Sequence, residues 1–248
     1  MKLLHDCLLY AHIVTGALAL LLFWMPVALP KGGNLHRKSG VAFAWTMYVV
    51  AGSGFLMAGI DLAWPRLTHG TVAADDTQLL RDNALFLLSL SVLVLATTRH
   101  GWLSIRARGQ REILRRWPHL VLCLLMGGLG IWLFVQGAMR NQWLWIAFGL
   151  LQLWLTLSFV HYACKSILQP REWWTEHLAA FIGSGIGAYT AFFVFGGGSL
   201  LGAVSESVTL TLWLAPAVLG GLAIALLTRH YRLKFDSTSS VAAGGGSQ

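Results

Sequence analysis

Charge is what this sequence most lacks. Only 11% of its 248 residues are Asp, Glu, Lys or Arg, against about 25% in an average soluble domain. That scarcity excludes an ordinary water-facing globular surface. Cysteine is also sparse: Cys7, Cys123 and Cys164 are odd in number and lie in or beside apolar runs. This excludes a disulfide framework and leaves packing thiols. The formal charge of +8 does not bring nucleic acid in as a partner, because the basic residues sit in short breaks between apolar runs and form no continuous basic surface.

What is present is hydrocarbon. The chain is 56% apolar with a mean hydropathy of +0.63. A bilayer core about 30 Å thick needs roughly 20 apolar residues per helix, and suitable runs lie near 7–29, 41–63, 83–103, 119–138, 143–165, 177–198 and 207–228. The sequence therefore predicts an all-α, polytopic transmembrane helix bundle of seven spans over residues 1–235. The breaks carry loop chemistry, among them Pro30-Lys31-Gly32-Gly33, Trp64-Pro65, Trp117-Pro118 and Gly196-Gly197-Gly198. The first run carries His12 and reaches Pro30 without a small-residue cleavage site, so it reads as a retained span. Residues 236–248, DSTSSVAAGGGSQ, have no apolar face and are expected to form a disordered tail. Its GGGSQ end has the composition of an appended linker.

Lys and Arg set the orientation, because they collect on the cytoplasmic side of short loops. With the N-terminus outside and the C-terminus in the cytoplasm, fourteen of the eighteen basic residues fall inside. These include Lys31, Arg37 and Lys38, the group from Arg99 to Arg116, Lys165 and Arg171, and Arg229, Arg232 and Lys234. Lys2, Arg66, Arg81 and Arg140 remain outside. Trp64, Trp102, Trp117, Trp143, Trp145, Trp173 and Trp174 lie near span ends, where amphipathic rings anchor at the headgroups. Gly183, Gly187 and Ala191 repeat at helical spacing in the sixth span, a stripe suited to close helix approach.

Ionisable groups at membrane depth are costly, so the nine histidines are the informative residues. His36, His119, His161 and His177 lie at the inner ends of spans, three of them near helix starts marked by Asn34 or Ser39, Pro118 and Thr175. A helix N-terminus disfavours imidazolium, and neutral imidazole is the form that ligates metal or haem iron. His161 shares a helix face with Ser158 and Lys165 and is the expected centre of a site. Each has a plainer reading: His36 and His100 stand beside Arg and Lys and read as solvated, and His119 reads as an interfacial hydrogen-bonding group. On the outer side His5 and His12 share a face of the first span, with Asp6, Asp61, Asp82 and Glu206 available as partners. His69 lies on that side too.

The run His12-Ile-Val-Thr-Gly16, the loop with Lys31, the string His36-Arg37-Lys38-Ser39-Gly40 and His177 opening a small-residue helix resemble a family of bacterial multi-span membrane proteins of unknown function, over about residues 8–198. The resemblance implies a polytopic fold and brings no activity. More loosely, histidines near helix ends are similar to those of b-type cytochromes and membrane ferric reductases. In this sequence the outer depth holds only His12, without a matching second imidazole.

Two function classes follow. In the first, His36, His119, His161 and His177 hold haem b or a metal ion such as zinc at the cytoplasmic end, with Arg37, Glu176 and Ser158 as supporting or anion-contacting groups. A redox protein would use a redox partner, and a zinc version would be a hydrolase with Glu176 as general base. In the second, the protein is a transporter or a lipid- or small-molecule-binding membrane protein without enzymatic activity. There the histidines relay protons, His5, His12 and Asp61 form an outer polar site, and the inner basic rim meets anionic lipids. Either version belongs in a bacterial inner membrane, as a single chain or a homo-oligomer. The orientation is directly testable: a cysteine introduced at Thr77 should react with an impermeant thiol reagent in intact cells, and one at Gln110 should not. Equal labelling at both sites would refute it.

Overall fold

The computed structural model describes residues 2–65, 68, 74–196 and 205–244, with the side chains of 74–76, 206 and 236–244 left aside. His69, Arg66 and the glycines at 197 and 198 lie outside the described residues, as does the side chain of Glu206. The helices are α1 (Lys2–Ala28), α2 (Asn34–Ala63), α3 (Ala74–Ala107), α4 (Trp117–Arg140), α5 (Trp143–Cys164), α6 (Glu172–Ala191) and α7 (Glu206–Gly244). A 3-10 turn spans Arg111–Ile113, a π-helical turn spans Phe192–Gly196, and no strand occurs among the described residues. Seven segments are long and apolar enough to cross a membrane. The chain is a multi-pass membrane protein by that measure.

The helices match the seven apolar runs and overshoot several of them. α2 starts at Asn34 and α3 at Ala74, seven and nine residues before the runs near 41 and 83. Hydropathy registers only the stretch that belongs in hydrocarbon, whereas backbone hydrogen bonding continues through polar turns that have left it. α7 likewise continues to Gly244, into the segment expected to be disordered. Between Arg232 and Ala243 the sequence offers neither glycine nor proline to stop it; residues 245–248 lie outside the described residues.

The chain divides into two compact units, residues 1–98 with 117–160, and residues 99–116 with 161–248. In the first unit α1 lies along α2. Their junction follows from Pro30, which has no N–H to offer the Pro26 carbonyl one turn back. The orphaned oxygen is served instead by His36 Nδ1 at 3.0 Å and Lys31 Nζ at 2.8 Å. Partial desolvation holds the Lys31 ammonium below the ordinary lysine pKa. The core of this unit is Val92, Leu93 and Ala96 of α3, Cys123 and Met126 of α4, and Phe159 of α5.

Between α4 and α5 the backbones nearly touch. A Cβ on Gly149 would lie 2.7 Å from Phe134 N and 2.8 Å from Gly130 O; one on Gly130 would lie 3.0 Å from Gln152 Cβ. Without a hydrophobic driving force between helices in lipid, such close approach gives packing its strength. In the sixth span a Cβ on Gly183 would meet nothing within 4 Å among the described residues. Near the start of α3 Asp82, 7% exposed, pairs with Arg140 at the end of α4. Arg140 also lies over Trp145.

In the second unit Leu103, Leu114, Tyr162 and Ala163 form the core, and α6 packs on α7. Trp174 contacts Tyr231 and Phe235 of α7. The tryptophans therefore divide. Trp117 and Trp143 are 76% and 78% exposed, as membrane anchors should be, while Trp174 here and Trp145 in the first unit, stacked on Phe86, brace helices.

Gly149→Ala should destabilise the detergent-solubilised protein by about 1–3 kcal/mol, the usual range for overpacking. Gly128→Ala, on the same helix as Gly130 but with nothing within 4 Å of the added carbon, should be neutral or stabilising. Thermal melting of both variants checks the α4–α5 contact, and an equal response would remove it.

Candidate functional site

The four histidines expected at one inner site are divided between the two compact units, His36 and His119 in the first, His161 and His177 in the second. His36, half-buried at the start of α2, is committed through Nδ1 to the Pro26 carbonyl. His119, only 1% exposed on α4, has Nε2 at 3.7 Å from Cys123 Sγ. His177 is five residues inside α6, since that helix starts at Glu172 and Thr175 is an internal residue. Its Nδ1 donates to the Gly101 carbonyl at 3.0 Å, and its ring lies against Phe181. His161 is exposed in the last turn of α5.

The face expected to join His161, Ser158 and Lys165 is not assembled. α5 ends at Cys164, and Lys165 turns to Glu172, with Nζ at 2.8 and 3.1 Å from its two carboxylate oxygens. Arg37 is exposed and Ser158 half-buried. Among the described residues no group of three or more His, Cys, Asp or Glu is placed to hold a metal ion. Depth along a span was legible; which face of the helix a residue occupies was not.

Of the three residues expected to form an outer polar site, the structure joins two. His5 Nε2 is 3.5 Å from Asp61 Oδ2, and His5 Nδ1 is 3.9 Å from Asp6 Oδ1. His12 stands apart, its Nδ1 within 3.0 Å of both the Val50 carbonyl and Ser53 Oγ. A carbonyl only accepts, so Nδ1 carries the proton and Nε2 the lone pair. Gly54 makes room for this ring: a Cβ there would lie 3.4 Å from His12 Cε1. His12 of the His-x3-Gly string thus fastens α1 to α2, whereas a Cβ on Gly16 would meet nothing within 4 Å among the described residues.

The polar centre that stands out is one the sequence reading placed in solvent. His100 of α3 is 0% exposed, and its Nε2 lies 3.4 Å from Oε2 of Glu176 on α6. Glu176 was expected to act as a general base beside a metal; here it faces an imidazole. The Tyr162 ring meets the His100 ring edge-on at 5.7 Å. Tyr162 Oη and Ser104 Oγ are both buried without a hydrogen-bond partner among the described residues. Ser104 follows His100 by one helical turn and shares its face. Burying an imidazole against a partly exposed carboxylate, beside two buried hydroxyls, costs stability. Such an arrangement marks sites selected for chemistry or binding.

The neighbouring groups are spent on holding backbone. Arg111, from the 3-10 turn, donates through Nη1 to the Tyr162 and Lys165 carbonyls, and Nη2 lies 3.5 Å from the Ser166 carbonyl. A guanidinium suits those oxygens, because the last carbonyls of a helix have no intrahelical donor and carry partial negative charge. Glu172 opens α6 and accepts from Gln169 N at 2.7 Å as well as from Lys165. Together they tie the end of α5, which carries Tyr162, to the start of α6, which carries Glu176.

Arg111→Met should cost about 1.5–3 kcal/mol, the range for hydrogen bonds from charged groups. It should loosen the end of α5 selectively, read as faster amide exchange at residues 160–166 than at 120–130. Uniform exchange would contradict the capping role. Comparison of the chain with known protein families, with curated proteins and with solved structures finds no match.

Proposed function

We propose that this is a multi-pass protein of the bacterial inner membrane, N-terminus outside and C-terminus in the cytoplasm, that binds or moves a small molecule with the help of a proton-exchanging site at His100, Glu176 and Tyr162. The observation that carries this reading is the fully buried imidazole against a partly exposed carboxylate near the ends of two helices long and apolar enough to span a membrane. Ionisable pairs in membrane-spanning segments are rare and are associated with proton relays or substrate paths. Imidazole and carboxylate at this separation can share one proton, and small changes of geometry decide which of them holds it. Ser104 and Tyr162 supply hydroxyls that can accept and pass that proton or hydrogen-bond a polar ligand.

A second reading, haem or a metal ion on the histidines, has one observation in its favour. His36 and His12 each give Nδ1 to a backbone carbonyl, which fixes the tautomer and leaves Nε2 as the ligating nitrogen. A Soret band in purified protein that weakens in His36→Ala would put this reading ahead. For the principal reading, proteoliposomes carrying an internal pH indicator should take up protons when a pH gradient is imposed. Glu176→Gln and His100→Asn should lower the rate to that of protein-free vesicles, with the exposed Lys38→Gln unchanged. Wild-type rates in both site variants would reject the proposal.

A further inference from the structure

In the first unit a separate set of polar side chains lies between α4 and α5. His119 and Cys123 occupy successive turns of α4, with 3.7 Å between Nε2 and Sγ. Thr156 of α5 donates to the Cys123 carbonyl at 3.3 Å. Its methyl would be 3.1 Å from a Cβ on Gly127, so the side chain points at α4. One turn back along α5, Gln152 also points at α4, over Gly130. Gln152 is 0% exposed, and neither its amide nitrogen nor its amide oxygen has a hydrogen-bond partner among the described residues.

The depths form a series. At 1.5 Å of rise per residue, His119 lies about 3 Å from the start of α4 and Cys123 about 9 Å. Thr156 and Gln152 lie about 12 and 18 Å from the end of α5. The start of α4 and the end of α5 are the same side of the membrane, because consecutive spans alternate in direction. The seam therefore runs from one face to roughly the middle of a 30 Å hydrocarbon layer. An amide offers two donors and two acceptor positions. One at mid-membrane with none of them used on protein is a binding position for a small hydrogen-bonding molecule. The close glycine-mediated packing leaves room for nothing much larger than water.

We infer that the α4–α5 seam from His119 to Gln152 binds internal water, with the Gln152 amide as its inner terminus. Buried waters typically make about three hydrogen bonds to polar groups that otherwise lack them, and Gln152 supplies up to four positions. Such water would give this unit a polar path half-way through the membrane, on residues separate from the His100 site. The test is infrared spectroscopy of the purified full chain in ordinary and oxygen-18 water. The wild type should show an isotope-sensitive O–H stretching band that Gln152→Met removes or shifts, and Gln152→Met should melt at a lower temperature. Thr156→Val, a milder change one turn away, should shift the same band if Gln152→Met does not fold. A band unchanged in whichever of these variants folds would overturn the inference. A higher melting temperature for Gln152→Met would also overturn it, since replacing an amide that binds nothing by a thioether of similar size relieves a buried polar group.

Discussion

Inside hydrocarbon a polar group must find its partner on the protein or on something the protein binds, and the arrangement of this chain depends on that constraint. Helices satisfy their own backbones, so the points of interest are where they cannot. At the end of α1 the missing N–H of Pro30 frees a carbonyl, and His36 and Lys31 are both drawn to it. The end of α5 frees others, and Arg111 is drawn to those. Cationic or imidazole side chains near span ends are therefore first a solution to backbone chemistry. Only those left over after that accounting are candidates for function.

This accounting separates histidines that look alike in sequence. His12 and His36 use Nδ1 to brace α1 against α2, and His177 bonds the Gly101 carbonyl. His100 differs in having another ionisable side chain, Glu176, among its partners. A backbone carbonyl fixes a tautomer; a carboxylate makes the protonation state of the imidazole depend on its own. That is a stronger reason to place proton chemistry at His100 than nearness to a span end was for His161.

The seven spans were legible because a run of about 20 apolar residues is a statement about length, and length is what a bilayer measures. The sites were not, because a site depends on which face of each helix turns inward, and these helices are apolar nearly all round. His161 and Tyr162 are adjacent, yet the imidazole is exposed and the phenol is 2% exposed. His100 was misread through its neighbour Arg99, although Thr97 and Ser104 one turn to either side already outlined a polar face within an apolar run. Gly183 has nothing opposite it within 4 Å of an added Cβ among the described residues. Glycine permits close approach only where a neighbour stands opposite, as Gly130 and Gly149 do for each other.

Close packing and polar burial are linked in this chain. Gly127 and Gly130 let α5 come near enough to cover part of Thr156 and all of Gln152, and enclosure is what makes an unsatisfied amide costly. Had larger residues stood at 127 and 130, the helices would separate and lipid would fill the gap, where a glutamine would be worse placed still. The glycines and the glutamine therefore belong to one design. Small residues make a sealed seam in the membrane interior, and polar side chains inside that seam define what small molecule it can hold.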